Sequence, residues 1–484
     1  MNEQVLALLP LLITTATIVV SMFVIAVRRS HRLTGGVMIV GMNLALLSVA
    51  FGWSASGSQA VAVTGLLTID GTAQFAMALM LITTLGVLTL CPAYFSGYRG
   101  HREELYLLLG VGTLGALTLA CANHAATLLL GLELLSLPMV GAVAYAIDRP
   151  RSIEGGVKYL ILSAAASATL LFGLALIYAQ TGALDMGSLA GAIAGAGLGS
   201  PLVTAGAAML LAGLAFKLSF VPFHQWTPDV YEAAPLPITA YLATVVKLGA
   251  FIAALRLLHA GVGSASPLIV SAIVGLALAS MLLGSVLAIR QTNLKRLMAY
   301  SSIANFGFLA VVLALPGLDA VRAAGVFLVT YLVTSLGVFG VMTLVSSPMG
   351  RRDHEDLDEY RSLFWHRPYL AAVLIAMLLS LAGIPLTAGF VGKLAVIGVG
   401  VQAAQWWLVG GIVIASAIGV YYYLRVINAL LTRVEPGTPE RVAVTLPWVY
   451  KASGAMLLLA TIVTVWLGVY PQPLFELGRY LAFP

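Results

Sequence analysis

Apolar runs of about twenty residues recur from one end of the chain to the other. Each is closed by a short turn that holds most of the polar side chains. A membrane-crossing helix needs about 20 such residues. On that template roughly 14 segments are expected: about 5–27, 36–54, 73–95, 104–121, 125–147, 157–180, 203–223, 235–258, 267–290, 294–315, 321–346, 368–399, 404–431 and 448–470. Glycine and proline fall inside several of them. Both are tolerated at membrane depth, because neighbouring helices and water satisfy the freed backbone groups. The first run is long and apolar, with Arg28 and Arg29 after it rather than before it. It reads as a retained helix and not as a cleaved signal. The expected fold is an all-α polytopic membrane protein, residues 1–484 forming a single membrane domain.

The order of the segments suggests an internal repeat. Segments 4–8 and 9–13 are two runs of five, and an odd number of crossings makes the second run enter from the opposite side. Inverted repeats of this kind build many transporters. The division expected is 1–103 for three N-terminal helices, 104–259 and 266–431 for the two repeats, and 432–484 for a last helix. The fourth member of each run carries a proline in a polar setting, FVPFHQW around Pro222 and LAGIPLTAG around Pro385. The two prolines lie 163 residues apart, the offset of the runs themselves. Helices 7 and 12 are therefore expected to be broken, and such pairs of breaks point to an ion path.

Composition sharpens the class. Only 9% of the 484 residues are charged and 60% are hydrophobic, against about 25% charged in soluble domains. Mean hydropathy is +1.00. The net charge of +6 does not indicate nucleic acid, since the basic residues sit in short turns. Arg28, Arg29, Arg32, Arg99, Arg102, Arg149, Arg151, Arg290, Lys295, Arg296, Arg351, Arg352, Arg361, Arg367, Arg433 and Arg441 all fall in odd-to-even turns or at their edges. The positive-inside rule places that end in the cytoplasm and both termini outside. The acidic turn with Asp229 and Glu232 is an exception on the same side. The stretch RRDHEDLDEYRSLFWHR reads as a solvated connector. Cys91 and Cys121 stand alone, so no zinc, iron–sulfur or haem motif is visible. No glycine-rich nucleotide motif is present either.

The chemistry rests on charges inside the apolar runs. A lysine at membrane depth costs about 3 kcal/mol on insertion scales. Lysine supplies six of the 25 basic residues, and it loses its proton far more readily than arginine when desolvated. Glu133 lies in LLLGLELLSLP, Lys217 precedes Pro222, Lys247 is central in LATVVKLGAF, and Lys393 follows the second break in GFVGKLAV. A row of carboxylate and ammonium groups can pass a proton sideways, because each charge shifts the proton affinity of the next. Lys158 has two readings, a partner for Glu133 or an exposed pair with Glu154 four residues earlier. His224 and Lys295 are candidates for proton uptake, with Tyr300, Ser301 and Ser302 beside Lys295. His224 also reads as a structural histidine, and Lys295 mainly as an anchor. His124 and His259 read as interfacial, as do Trp406, Trp407 and Tyr421 to Tyr423.

These stretches, with SIEGGVKYLILSAAASA, FKLSFVPFHQWTPDVYEAAPLP, QTNLKRLMAYSSI and LSLAGIPLTAGFVGK, closely resemble the antiporter-like membrane subunits of respiratory complex I, the bacterial NADH-quinone oxidoreductase. The resemblance runs over nearly the whole chain. It implies a proton-translocating membrane-arm subunit of a translocase, with Glu133, Lys217, Lys247 and Lys393 on the proton path and Lys158 as a partner. It implies no cofactor in this chain, with NADH, FMN, iron–sulfur clusters and quinone handled by partner subunits. The implied partners are other membrane-arm subunits, neighbouring antiporter-like ones above all, and the lipid of the bacterial inner membrane. The family often has a histidine after YSSI where this chain has Asn305, and several relatives have a glutamate where this chain has Lys393. Two other readings stand beside this one: a subunit of an Mrp-type cation/proton antiporter, and a structural spacer without its own proton path.

Overall fold

The computed structural model describes residues 3–56, 60–190, 199–259, 267–315, 317–433, 448–479 and 481. Arg441, the side chain of His259 and residue 266 lie outside the described parts. The structure is almost wholly helical. The principal helices are α1 Glu3–Val27, α2 His31–Ser56, α3 Gly71–Tyr94, α4 Glu104–Ala120, α5 Ala125–Val143, α6 Pro150–Thr181, α7 Pro201–Leu218, α8 Trp226–Ala233, α9 Leu236–Tyr241 and α10 Lys247–His259. They continue as α11 Pro267–Ile289, α12 Leu294–Ala314, α13 Leu318–Val345, α14 Leu363–His366, α15 Pro368–Ala382, α16 Ala388–Gln402, α17 Trp406–Leu431, α18 Trp448–Val469 and α19 Gln472–Arg479. Among the described residues, 12 helical segments are long and apolar enough to cross a membrane, and α4, α15 and α16 are shorter apolar helices. This is a polytopic all-α membrane protein. A small antiparallel hairpin, Val61–Val63 with Leu67–Ile69, is the one sheet among the described residues.

Burial sorts the helices into a centre and a rim. The continuous segment through α9 and α10 is wholly enclosed, and α12 and α13 nearly so. In α1, α6, α11, α17 and α18 only about a third of the residues are buried, and Phe23, Ile161, Phe172, Trp407 and Leu459 turn outward. Such a rim suits hydrocarbon, where an exposed leucine costs nothing. α13 packs against α3 and α9 on one side and α15, α16 and α18 on the other, so it joins the two halves of the chain. α12 touches both α10 and α16.

Both expected breaks are present, and they end in the same cap. α7 stops at Leu218. Ser219 takes a left-handed φ of 63°, Ser219 N–H donates to Phe216 O, and Phe220 N–H donates to Ala215 O. α15 stops at Ala382. Gly383 has φ 83°, its N–H donates to Ser380 O, and Ile384 N–H donates to Leu379 O. Each is a Schellman closure, which satisfies the last carbonyls of a helix that cannot continue. A proline follows each cap by two or three residues, as expected for such a stop. Between α9 and α10 the helix widens into one π turn over Leu242–Val246.

The connector 346–362 is only in part the solvated loop that its charge density suggests. Asp353, Glu355 and Tyr360 are buried. The buried carboxylates pair with cations of the helix ends, Asp353 with Arg149 and Lys295 and Glu355 with Arg151, whereas Arg351, Arg352, Asp358 and Arg361 stay exposed. The acidic turn at Asp229 and Glu232 is neutralised in the same way. Arg296 donates to both carboxylates at 2.8 Å, and Arg151 reaches Glu232 at 3.5 Å.

Candidate functional site

Four lysines are buried, and three of them, Lys217, Lys247 and Lys393, have no carboxylate partner among the described residues. Lys217 occupies the last turn of α7 rather than the middle of a span. Its Nζ donates to Ser136 Oγ at 2.7 Å and to Ser163 Oγ at 2.9 Å. Helix C-termini favour cations, so the break itself helps to hold this ammonium. Glu133, one turn before Ser136 on α5, is partly exposed. It acts on Lys217 electrostatically without touching it.

Lys247 is fully buried at the start of α10, directly after the π turn. Its Nζ has no hydrogen-bond partner among the described residues. It lies over the ring of Phe306, 4.8 Å from the centroid. A ring face attracts a cation through its quadrupole, by about 2 kcal/mol or more once water is excluded. That is less than a carboxylate would give at this depth.

Lys393 lies in the second turn of α16. Its Nζ donates to Ala382 O at 3.0 Å, the carbonyl that ends α15, and sits 5.3 Å from the centroid of Phe308. Both lysines at the breaks are thus served by the negative end of an interrupted helix. Gly383 leaves room for this contact, since a Cβ there would lie 3.0 Å from Lys393 Cδ. A cavity of about 10 Å³ adjoins Lys393, lined by polar groups of α12, α13 and α15 together with Phe327 and Leu381.

The remaining candidates lie at the arginine-rich end. Lys158 is about half exposed and pairs with Glu154 at 2.8 Å and Asp229 at 3.2 Å. The structure gives it those two partners and not Glu133. His224 is half-buried in the first break, its ring 6.4 Å from that of Tyr300, and its Nδ1 has no partner among the described residues. Lys295 is enclosed rather than interfacial. It donates to Ala234 O at 2.7 Å and to Asp353 Oδ2 at 3.0 Å. The other oxygen of Asp353 accepts from Tyr94 at 2.6 Å and Arg149 at 3.1 Å. Burial pushes the Asp353 carboxyl up, but Lys295, Arg149 and Tyr94 outweigh it and hold it below the usual carboxylate range. Nothing in the sequence marked Asp353, which is one of many charges in its connector.

Sequence reading also missed the hydroxyl groups of the centre. Tyr422 and Tyr423 are buried, not interfacial, and Tyr423 is hydrogen-bonded to Ser301. Only Tyr421 of that trio faces outward, with Trp406 and Trp407. His124 caps α5 through its Nδ1, which accepts from Ala126 N at 3.1 Å. Asn305 donates to Ser301 O at 2.8 Å and lines the Lys393 cavity.

An all-α membrane bundle with two capped breaks and enclosed lysines is the architecture of an ion-translocating membrane subunit. The family profile described as NADH:quinone oxidoreductase/Mrp antiporter, TM, matches residues 122–419, and the chain belongs to that family. Within it, the chain is 52% identical over 480 residues to NADH-quinone oxidoreductase subunit N of Ectopseudomonas mendocina, covering 98% of this chain and 96% of that one. Subunit N of Chromohalobacter salexigens is 49% identical over 482 residues, 99% of each chain. Among solved structures, a chain of respiratory complex I from Thermus thermophilus with bound Aureothin matches with a TM-score of 0.80 and 31% identity, covering 96% of this chain and 98% of that one. The resemblance to complex I membrane subunits is borne out. The Mrp complex from Dietzia matches with a TM-score of 0.84, covering 99% of this chain and 97% of that one. At 20% identity, that likeness shows the fold alone.

Proposed function

We propose that this chain is the subunit N of a bacterial NADH:quinone oxidoreductase and moves protons across the inner membrane. The carrying observation is that Lys217, Lys247 and Lys393 are buried in an apolar bundle and held by hydroxyls, a carbonyl and phenyl rings rather than by carboxylates. A lysine locked to a carboxylate keeps its proton. A lysine with only neutral neighbours can give it up when a nearby charge moves.

On this reading Glu133, Lys217, Lys247 and Lys393 form the relay, with Glu133 on the rim of α5 answering to a neighbouring subunit. Lys158 tunes the relay from outside through Asp229, and His224 with Lys295 borders the uptake side. The flavin, iron–sulfur and quinone chemistry belongs to partner subunits, and this chain holds no redox group. The chain crosses the membrane fourteen times, α15 and α16 together making one crossing, in two inverted five-helix repeats within the ranges 104–259 and 266–431. Both termini lie outside.

The test is proton pumping by the assembled complex in vesicles. Lys217→Ala or Lys247→Ala is expected to lower the number of protons moved per NADH while the complex still assembles. A normal ratio in both variants refutes the relay.

A further inference from the structure

α12 stands between two of the buried lysines. Phe306 and Phe308 are two residues apart on it, so they face nearly opposite sides of the helix. One ring holds Lys247 and the other holds Lys393. Behind Phe306 lies Tyr331 of α13. The two rings meet edge to face, 5.3 Å between centroids at 90°. Tyr331 Oη is 2.8 Å from Ser302 Oγ and donates to Ala243 O at 3.3 Å. Ala243 lies in the π turn that directly precedes Lys247, and such turns recur at functional positions in helices. Tyr331 also lines the cavity beside Lys393, with Asn305, Thr330, Thr334 and Ser380. A volume of about 10 Å³ is close to what one water needs, about 10–15 Å³, given two to four polar partners.

We propose that Tyr331 is the relay hydroxyl between Lys247 and Lys393, and that the ring of Phe306 is the gate in front of it. The inference rests on the proton-moving reading above. With the ring turned aside, an N–H bond of the Lys247 ammonium breaks and its proton bonds to Tyr331 Oη. The phenolic O–H breaks in the same event and its proton passes to a water in the cavity. That water gives one of its own protons to the neutral amine of Lys393. Lys247 ends neutral and Lys393 charged, with tyrosine and water restored. A phenol suits the task, because its hydroxyl oxygen can accept the incoming proton while its own O–H is donated onward. With the ring in place, Lys247 rests on Phe306 and the two lysines are insulated.

The experiment uses the whole assembled complex in vesicles. It reads protons moved per NADH, the NADH oxidation rate, and the passive proton leak at rest. Tyr331→Phe keeps the ring against Phe306 and Phe327 and removes only the hydroxyl. It is expected to lose as many protons per NADH as Lys393→Ala does, and the double variant to lose no more. Phe306→Leu is expected to raise the resting leak several-fold over Phe308→Leu, and adding Tyr331→Phe to it should close the leak again. Full pumping by Tyr331→Phe, where Lys393→Ala loses protons, overturns the relay hydroxyl and leaves the general function standing. Full pumping by Lys393→Ala and Lys247→Ala as well overturns the function itself. If Tyr331→Phe fails to assemble, the leak of Phe306→Leu decides. A leak equal to that of Phe308→Leu overturns the gate.

Discussion

Asp353 is enclosed with two cations and a tyrosine, and its removal would strand them. Losing one partner of a buried pair costs about 3–5 kcal/mol, since the remaining charge has no compensation. Asp353→Ala is therefore expected to lower the assembled amount and the melting temperature of the purified protein, whereas Asp358→Ala, a mostly exposed neighbour, should change neither. Acid has a related effect. The folded carboxyl of Asp353 titrates below its ordinary value, so its stabilisation is complete above about 3.9 and is lost as pH falls through the lower, folded value. Melting followed from pH 6 downward should show this limb, and Asp353→Asn should flatten it. At this scale the sequence was half legible. Lys217, Lys247 and Lys393 declared themselves because a cation in an apolar run has few innocent explanations. Asp353, Tyr331 and Tyr423 did not, since a carboxylate among many charges, or a tyrosine within an apolar span, looks the same whether it faces outward or the core.

The breaks in α7 and α15–α16 were foreseeable, because proline cannot continue a helix and two prolines fell at matching places. The caps and the π turn were not. Ser219 in a left-handed conformation has no sequence mark of the kind that Gly383 carries, and no residue type specifies a π turn. The close crossing of α15 and α16 was equally hidden. A Cβ at Gly389 would lie 1.9 Å from Ser380 O, whereas one at Gly398 on the same helix meets nothing within 4 Å. Gly389→Ala is expected to force the half-helices apart, at about 1–3 kcal/mol, and to part Lys393 from Ala382 O. The melting temperature and the pumping ratio should both fall. Gly398→Ala should leave both unchanged.

Across the whole molecule, the arginine distribution gives a topology that chemistry can check. Cys91 and Cys121 are both fully buried, so the background for surface labelling is low. Glu3→Cys should react with a membrane-impermeant maleimide in intact cells stripped of their outer membrane. Asp358→Cys should react only in inverted vesicles, and the reverse pattern would turn the protein over. One feature of the arginine-rich end also bears on how the machine runs. The Asp353 carboxylate ties together Tyr94 and Arg149 from the first half and Lys295 from the second, while Lys295 grips Ala234. A carrier that worked by tilting one half against the other would have to tear this knot on every cycle and knit it again. A chain stitched shut in this way is suited to a cargo small enough to travel by side-chain rotations alone. The hydrogen ion is such a cargo, since it can be handed from one side chain to the next while the walls stand still.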